Sequence, residues 1–165
     1  MRQLPIIVFT LLGMSGNAIA QEAAVFQTKS LTPEIALVAA RAAMESCRKQ
    51  GFQVSVAVVD RAGLTQVLLR DRFAGAHTIE VATNKAWTAA SFHTPTSSLA
   101  KETQPDKPLG GLRNLPRLMA VSGGVVIEGG GTYFGGIGVS GAPGGESDEG
   151  CAQAGLKAIS DAIEF

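Results

Sequence analysis

The stretch TYFGGIGVS, residues Thr132–Ser140, decides how this chain folds. Its β-branched and aromatic residues predict a strand, in which successive side chains point to opposite faces of a sheet. One face would carry Tyr133, Gly135, Ile137 and Val139, and the other Phe134, Gly136, Gly138 and Ser140. Because the second face is nearly bare at its centre, a helix, another backbone or a flat ligand must approach closely there. A packed helix is the expected occupant.

Four other segments predict the strands that pair with this one. They are Gln53–Asp60, Leu64–Arg70, Arg117–Ser122 and Val125–Glu128. A short turn with Gly63 joins the first two segments, and glycine turns join the last two to each other and to Thr132–Ser140. Turns this short force adjacent strands to run antiparallel. The sequence therefore predicts a five-stranded antiparallel sheet.

Helical segments lie on both sides of these strands in the chain. Thr32-Pro33-Glu34 supplies a cap, a proline and an acid that predict a helix over Pro33–Lys49. Apolar residues at helical spacing predict a second helix over Thr78–Ser91 and a short third one over Thr96–Lys101. A fourth helix is expected from Ser147 to Ile163. This element order favours an α+β fold.

The first and fourth helices each carry a stripe of small residues. The stripes are Ala36, Ala40, Ala43 and Cys47, and Cys151, Gly155, Ala158 and Ala162. Antiparallel packing along these stripes would bring the two cysteines together, and a disulfide needs Cα atoms about 5.5 Å apart. The prediction is a Cys47–Cys151 disulfide, and the alternative is a pair of buried thiols that pack as small apolar groups.

Charge and composition exclude several classes of protein. Among 165 residues, 14 are basic and 14 acidic, so the formal net charge is zero. No basic stripe is present for phosphates, which argues against a nucleic-acid partner. The positive mean hydropathy argues against an acidic or polar disordered protein. A compact domain is the expectation.

The first twenty residues resemble an export signal. Met1-Arg2-Gln3 is a short basic start, Leu4–Met14 is apolar, and Ala18-Ile19-Ala20 has the small-residue spacing of a cleavage site. The apolar run is shorter than the roughly 20 residues that cross a bilayer, which favours cleavage over an N-terminal membrane anchor. We expect residues 1–20 to be a signal peptide, residues 21–30 a flexible lead-in and residues 31–165 a single domain. The mature protein would be periplasmic or secreted, without membrane association.

Two features have the chemistry of metal ligands. His77 precedes the second helix, where the positive end of the helix dipole favours the neutral imidazole that binds metal. Its alternative is an exposed histidine without a function. Glu146 and Glu149 lie three residues apart at the start of the fourth helix, a spacing that suits iron or another hard cation weakly. Their alternative is a pair of acids that stabilise a helix N-terminus.

Three segments together resemble the GlcG/HbpS-like haem-binding family, which includes the C-terminal domain of PduO. They are VSVAVVDRAGLTQVLLRD (54–71), ATNKAWTAASFHTPT (82–96) and FGGIGVSGAPGGESDEGCAQAGL (134–156). The resemblance extends from Leu31 to Ile163. It implies a profilin-like fold with a five-stranded antiparallel sheet, a homo-oligomer, and non-covalent haem linked to haem or iron handling outside the cytoplasm.

The resemblance also implies roles for individual residues. His77 matches the region in which histidine-ligating members place the axial ligand of haem iron, and helix two would form one wall of the site. Lys85 or Arg113 would pair with the haem propionates. Glu146 and Glu149 resemble the acidic iron-binding motifs ascribed to the family.

Two other functions remain open, and no catalytic residue is assigned. One is a small-metabolite-binding protein or an enzyme of an organic-acid pathway, with Asp60, Arg70 and Ser140 as candidate residues. The other is a structural or signalling protein whose oligomeric surface is its function.

Overall fold

The computed structural model describes residues 24–164, so the predicted signal peptide lies outside the described residues. Its centre is an antiparallel sheet of four strands, in the order β2-β1-β4-β3. The strands are β1 (Ser55–Asp60), β2 (Thr65–Arg70), β3 (Gly124–Gly129) and β4 (Thr132–Ser140). Each of the four was predicted to within two residues at either end.

The helices pack on both faces of this sheet. They are α1 (Pro33–Lys49), α2 (Thr78–Phe92), α3 (Thr96–Glu102), α4 (Gly145–Lys157) and α5 (Ser160–Ile163), and Gly110–Asn114 form a short 3-10 helix. The α+β class is confirmed, as is the start of α1, where the Thr32 hydroxyl accepts the Ile35 N–H at 3.4 Å. Within residues 24–164, no helix combines the length and apolar character needed to cross a bilayer.

The predicted fifth strand, Arg117–Ser122, is wrong. Arg117 has a φ of +72°, a left-handed conformation that an extended strand does not contain. The Met119 N–H then donates to the Thr88 hydroxyl of α2 at 2.9 Å instead of pairing with a neighbouring strand. This segment is therefore a loop that runs against α2.

The predicted fourth helix is also too long. The chain leaves the helical conformation at Ile159, with φ −115° and ψ 1°, before α5 begins. This break buries the side chains of Ile159 and Ile163, which are 2% and 3% exposed, in the hydrophobic core.

A β-bulge in β4 changes which side chains share a face. The pairing with β3 passes from Gly135 to Tyr133 and skips Phe134. Tyr133 therefore turns toward α2, where its hydroxyl donates to the Ala90 carbonyl at 2.5 Å, while Phe134 packs in the opposite core with Ile137. The expected alternation was wrong for Tyr133 and Phe134, because a bulge shifts the period of two by one residue.

Helix α2 covers the bare face of β4, as predicted. A methyl group at Gly138 would lie 2.5 Å from the Ala86 nitrogen and closer still to the Ala82 carbonyl oxygen. A methyl at Gly136 would lie 2.5 Å from the Ala86 carbonyl oxygen. These glycines let α2 lie directly on the strand, and they thereby position every side chain that α2 carries.

Helices α1 and α4 pack on the other face, antiparallel and at short range. A methyl at Gly155 would lie 2.6 Å from the Ala39 carbonyl oxygen. Further along the same contact, Cys47 and Cys151 form a disulfide with a Cα–Cα distance of 5.6 Å, and both residues are fully buried. The disulfide joins the C-terminal end of α1 to the N-terminal half of α4.

Candidate ligand-binding cavity

A cavity of about 610 Å³ opens at one end of the sheet, beside the N-terminal half of α2. This volume lies in the range typical of small-molecule sites. Helix α2 contributes His77, Thr78, Val81 and Lys85 to its wall. The other walls come from residues 51–53, the loop with Phe73 and Gly75, residues 119 and 121, and the segment 140–145 with Asp148.

His77 lies where α2 begins, and its side chain makes no capping hydrogen bond. The residue is exposed, and its ring lies over Gly75, where a methyl group would be 2.7 Å from Cε1. Neither ring nitrogen has a hydrogen-bond partner among the described residues. His77 is therefore free to bind a ligand at the mouth of the cavity.

The loop before His77 is held by Asp71. The Arg48 guanidinium donates to both of its carboxylate oxygens, from Nε at 2.6 Å and from Nη2 at 2.9 Å, and the Arg72 N–H donates to Oδ1 at 2.9 Å. The hydrogen bonds from Arg48 hold the pKa of Asp71 below its usual value, although burial acts in the opposite direction. The anchored loop presents Phe73, 79% exposed, at the cavity rim. A single aromatic residue in a polar loop gave no sign of this role in the sequence.

Lys85 lies at the floor of the cavity and is 2% exposed. Its ammonium donates to Asp148 Oδ2 at 2.7 Å and to the Val139 carbonyl at 3.0 Å, and the Ala142 N–H donates to Asp148 Oδ1 at 3.0 Å. The Lys85–Asp148 ion pair and its further hydrogen bonds connect α2, β4, α4 and the loop between β4 and α4. Lys85 is thus already paired with a carboxylate, and it offers a propionate no unbalanced positive charge.

Neither Asp148 nor Gly123 was singled out from the sequence as part of this site. Asp148 is 63 residues from Lys85, so no local spacing links the two. At Gly123, which has a φ of +122°, a methyl group would lie 2.8 Å from the Lys85 ammonium. The glycine therefore leaves the space in which the ion pair forms.

Arg113 does not line this cavity. It belongs to the 3-10 helix, and its guanidinium donates to the Thr103 carbonyl at 2.6 Å and to the Ala100 carbonyl at 3.1 Å. The structure therefore does not bring Arg113 together with His77, and the expected pairing of both with one haem has no geometric support.

Glu146 and Glu149 line a second, smaller depression of about 340 Å³. Glu149 accepts hydrogen bonds from the Ser97 hydroxyl at 2.8 Å and from the Gly123 N–H at 3.3 Å. Within residues 24–164, no three histidine, cysteine, aspartate or glutamate side chains are grouped to hold a metal ion. The two glutamates thus lack a third protein ligand of that kind.

The residues considered for a metabolite site are also separated. Asp60 accepts the Ala62 and Leu64 N–H groups, each at 2.9 Å, in the turn between β1 and β2. Arg70 donates to the Ala74 carbonyl beside the anchored loop. Of the three candidates, Ser140 lines the cavity.

Residues 31–157 match the family described as haem degrading protein HbpS-like. The crystal structure of a double mutant of HbpS from Streptomyces reticuli is similar, with 40% sequence identity and a TM-score of 0.79 over 90% of this chain and 99% of that one. The crystal structure of a PduOC:heme complex has 32% identity and a TM-score of 0.75, over 79% of this chain and 96% of that one.

The corrinoid adenosyltransferase PduO of Salmonella typhimurium is 34% identical over 121 residues, which are 72% of this chain and 36% of that protein. The chain therefore spans about a third of the length of this relative.

Proposed function

This chain belongs to the HbpS-like family, and we therefore propose that it binds haem non-covalently in the cavity beside His77. The observation that carries the proposal is the exposed imidazole of His77, which has no hydrogen-bond partner among residues 24–164 and borders a cavity of about 610 Å³. Neutral imidazole is a common axial ligand of haem iron. The similarity to a PduOC:heme complex supports the same ligand.

The cavity walls fit a flat, apolar macrocycle. Their larger apolar side chains are Phe52, Phe73, Val81, Met119 and Val121. Phe73 is the most exposed of those that border the mouth, and its ring is available to contact the porphyrin. When bound, haem would supply iron whose reactivity depends on its axial ligand. His77 would hold the iron, and the anchored loop would keep Phe73 in place.

Export and self-association are part of the proposal. The sequence of residues 1–20 supports export, and the Cys47–Cys151 disulfide suits an oxidising compartment. Strand β2 lies at the edge of the sheet and exposes Leu68, and Leu64 just before the strand is also exposed, at 40% and 67% respectively, which supports pairing with a second copy. Protein exported to the periplasm should begin at Gln21 by mass, and light scattering measures its oligomeric state.

A haemin titration followed at the Soret band tests the proposed function, because the chain offers a matched control. It has two histidines. His93 lies at the opposite end of α2, stacked on Tyr133 with ring centroids 4.1 Å apart, and does not line the cavity. We expect saturable binding to the native protein and to His93→Ala, and at least tenfold weaker binding to His77→Ala.

Each outcome bears on a separate part of the proposal. A native protein without a saturable Soret shift would refute haem binding. If His77→Ala binds as tightly as His93→Ala, His77 is not the ligand. Quenching of Trp87, the single tryptophan, gives an independent measure of binding that does not depend on the spectrum of the iron.

A further inference from the structure

We propose that the inner end of this cavity is a carboxylate-binding subsite formed by Ser140, Lys85 and the N-terminus of α4. The carboxylate is either a propionate of haem, in which case the inference rests on the proposed function, or that of a free small acid. The two sources share the chemistry of an anionic oxygen that accepts hydrogen bonds.

Ser140 is the observation that first indicates a ligand. It is 6% exposed and lines the cavity, yet its hydroxyl has no hydrogen-bond partner among the described residues. The hydroxyl oxygen itself is accessible from the cavity, so water satisfies it until the oxygen of a ligand accepts its hydrogen bond. Ser140 follows Gly138 on the face of β4 that α2 covers, so its hydroxyl lies beside the N-terminal half of that helix.

On the neighbouring strand, Ser55 lies at the same level of the sheet as Ser140, but its hydroxyl has a protein partner. Ser55 pairs in register with Ser140. It is fully buried, and its hydroxyl is 2.7 Å from that of Thr78. Ser55 does not line the cavity. Of the two serines, the one that faces the cavity is therefore the one without a protein partner.

Lys85 provides a second donor. An ammonium group has three N–H bonds, and two of them meet Asp148 and the Val139 carbonyl. The third has no partner among the described residues, although the side chain is 2% exposed and lines the cavity. Asp148 already balances the charge of Lys85. The contribution of Lys85 to a bound carboxylate is therefore mainly a hydrogen bond, and not a net positive charge.

The N-terminus of α4 supplies the electrostatic bias. Helix α4 has 13 residues, and Gly144 precedes it without a side chain that could cap it. The Gly145 and Glu146 N–H groups have no acceptor among residues 24–164, and Gly144 and Gly145 line the cavity. Unpaired N–H groups at a helix N-terminus favour an anion.

Asp148 and Gln53 are two further polar residues of the cavity wall. Each oxygen of Asp148 already accepts a hydrogen bond, one from Lys85 and one from the Ala142 N–H. The Gln53 side-chain oxygen is buried without a donor in the described part of the chain, and Gln53 also lines the cavity. A hydroxyl or an ordered water beside the bound carboxylate would satisfy it.

The first experiment compares haemin with its dimethyl ester, which lacks free carboxylates, in Soret titrations. We expect the native protein to bind haemin about tenfold more tightly than the ester, which corresponds to about 1.4 kcal/mol. Ser140→Ala should reduce this ratio about fivefold, because Lys85 and the N-terminus of α4 remain, whereas Ser55→Ala should retain it. Ser140→Ala is preferred to a Lys85 variant because loss of Lys85 leaves Asp148 buried and unpaired. Since its hydroxyl has no partner, this variant should also keep the native melting temperature.

The second experiment leaves haem out. Sodium acetate is titrated into ¹⁵N-labelled protein, with sodium chloride at the same ionic strength as the control. We expect saturable changes in the amide signals of Gly145 and Glu146 in the native protein and in Ser55→Ala, with clearly weaker binding of acetate to Ser140→Ala. The acetate titration does not depend on haem. If haemin does not bind but acetate does, the proposed function fails and the subsite remains.

If haemin is preferred to its ester and Ser140→Ala weakens this preference, a haem propionate occupies the subsite. If only the acetate response depends on Ser140, the occupant is a free small acid. If neither preference nor response is observed, the subsite does not exist. If either effect is as large in Ser140→Ala as in Ser55→Ala, Ser140 is not part of the subsite and the proposal is wrong.

Discussion

Replacing Gly138 by alanine tests the central packing relation of the fold. The new methyl would lie 2.5 Å from the Ala86 nitrogen and closer still to the Ala82 carbonyl oxygen, both in the backbone of α2. Non-bonded carbon contacts prefer about 3.5–4.0 Å, so helix and strand must separate by about 1 Å. A flexible side chain could turn aside, but a helix backbone moves only as a unit.

The expected cost follows from this geometry. Overpacking a core costs roughly 1–3 kcal/mol, and the upper end applies here because backbone atoms are the obstacle. For a domain of this size, about 3 kcal/mol lowers the melting temperature by roughly 6–12 °C. Since α2 carries His77 and Lys85, the same displacement should also weaken ligand binding in the cavity.

Gly150→Ala is the matched control. Gly150 lies within α4 and is exposed, and a methyl there would have no neighbour within 4 Å. Alanine in an exposed helix is favoured over glycine by about 1 kcal/mol, so this variant should melt at or above the native temperature. Calorimetry of the three proteins measures the difference. If Gly138→Ala melts with the native protein, α2 does not lie directly on β4 and the account of the bare face is wrong.

Three further predictions concern the disulfide and two titrating groups. Serine at both Cys47 and Cys151 should lower the free energy of unfolding by about 4–5 kcal/mol, the chain-entropy value for a loop of roughly 100 residues, and equal urea midpoints would contradict it. Arg48 lowers the pKa of Asp71, so the stability from this carboxylate is present above about pH 4 and lost as the pH falls through the lowered pKa. Asp71→Asn should therefore melt below the native protein at about pH 7, and the gap should close in acid melts; a gap independent of pH would refute the linkage. Burial raises the pKa of Tyr133, the single tyrosine, to about 12, so the phenolate absorbance should rise with that midpoint and not near 10. Its contribution to stability is complete below about pH 10 and declines as the pH rises toward 12, a decline that Tyr133→Phe should remove.

Local patterns determined the parts of the fold that depend on neighbouring residues. Thr32 and the proline after it set the start of α1, and the spacing of small residues placed Cys47 opposite Cys151. The bare face of β4 predicted a packed helix, and α2 lies against it. These features follow from periodicity and capping, which act over a few residues or along one face of one element.

The exceptions arise where a distant contact overrides the local preference. Arg117–Ser122 has the composition of a strand, but the Thr88 hydroxyl of α2 binds its backbone and Arg117 adopts a left-handed conformation. The bulge that turns Tyr133 toward α2 depends on the register with β3. The Thr88 contact has no signal within residues 117–122, whereas Gly135, with a φ of +148° beside the bulge, is a residue that a bulge favours.

By itself, the sequence determined the α+β class, three of the helix starts, four strands and the identity of His77 as a candidate ligand. Only the tertiary structure decided what surrounds that histidine, because the cavity is assembled from segments far apart in the chain. Lys85 meets Asp148 across 63 residues, and Gly123 leaves the space for them. Ser140 was one of several polar candidates in the sequence, and it is the centre of the proposed subsite because its hydroxyl lines the cavity without a partner among the described residues. Burial and satisfaction of a polar group are properties of packing, so no spacing along the chain could reveal them.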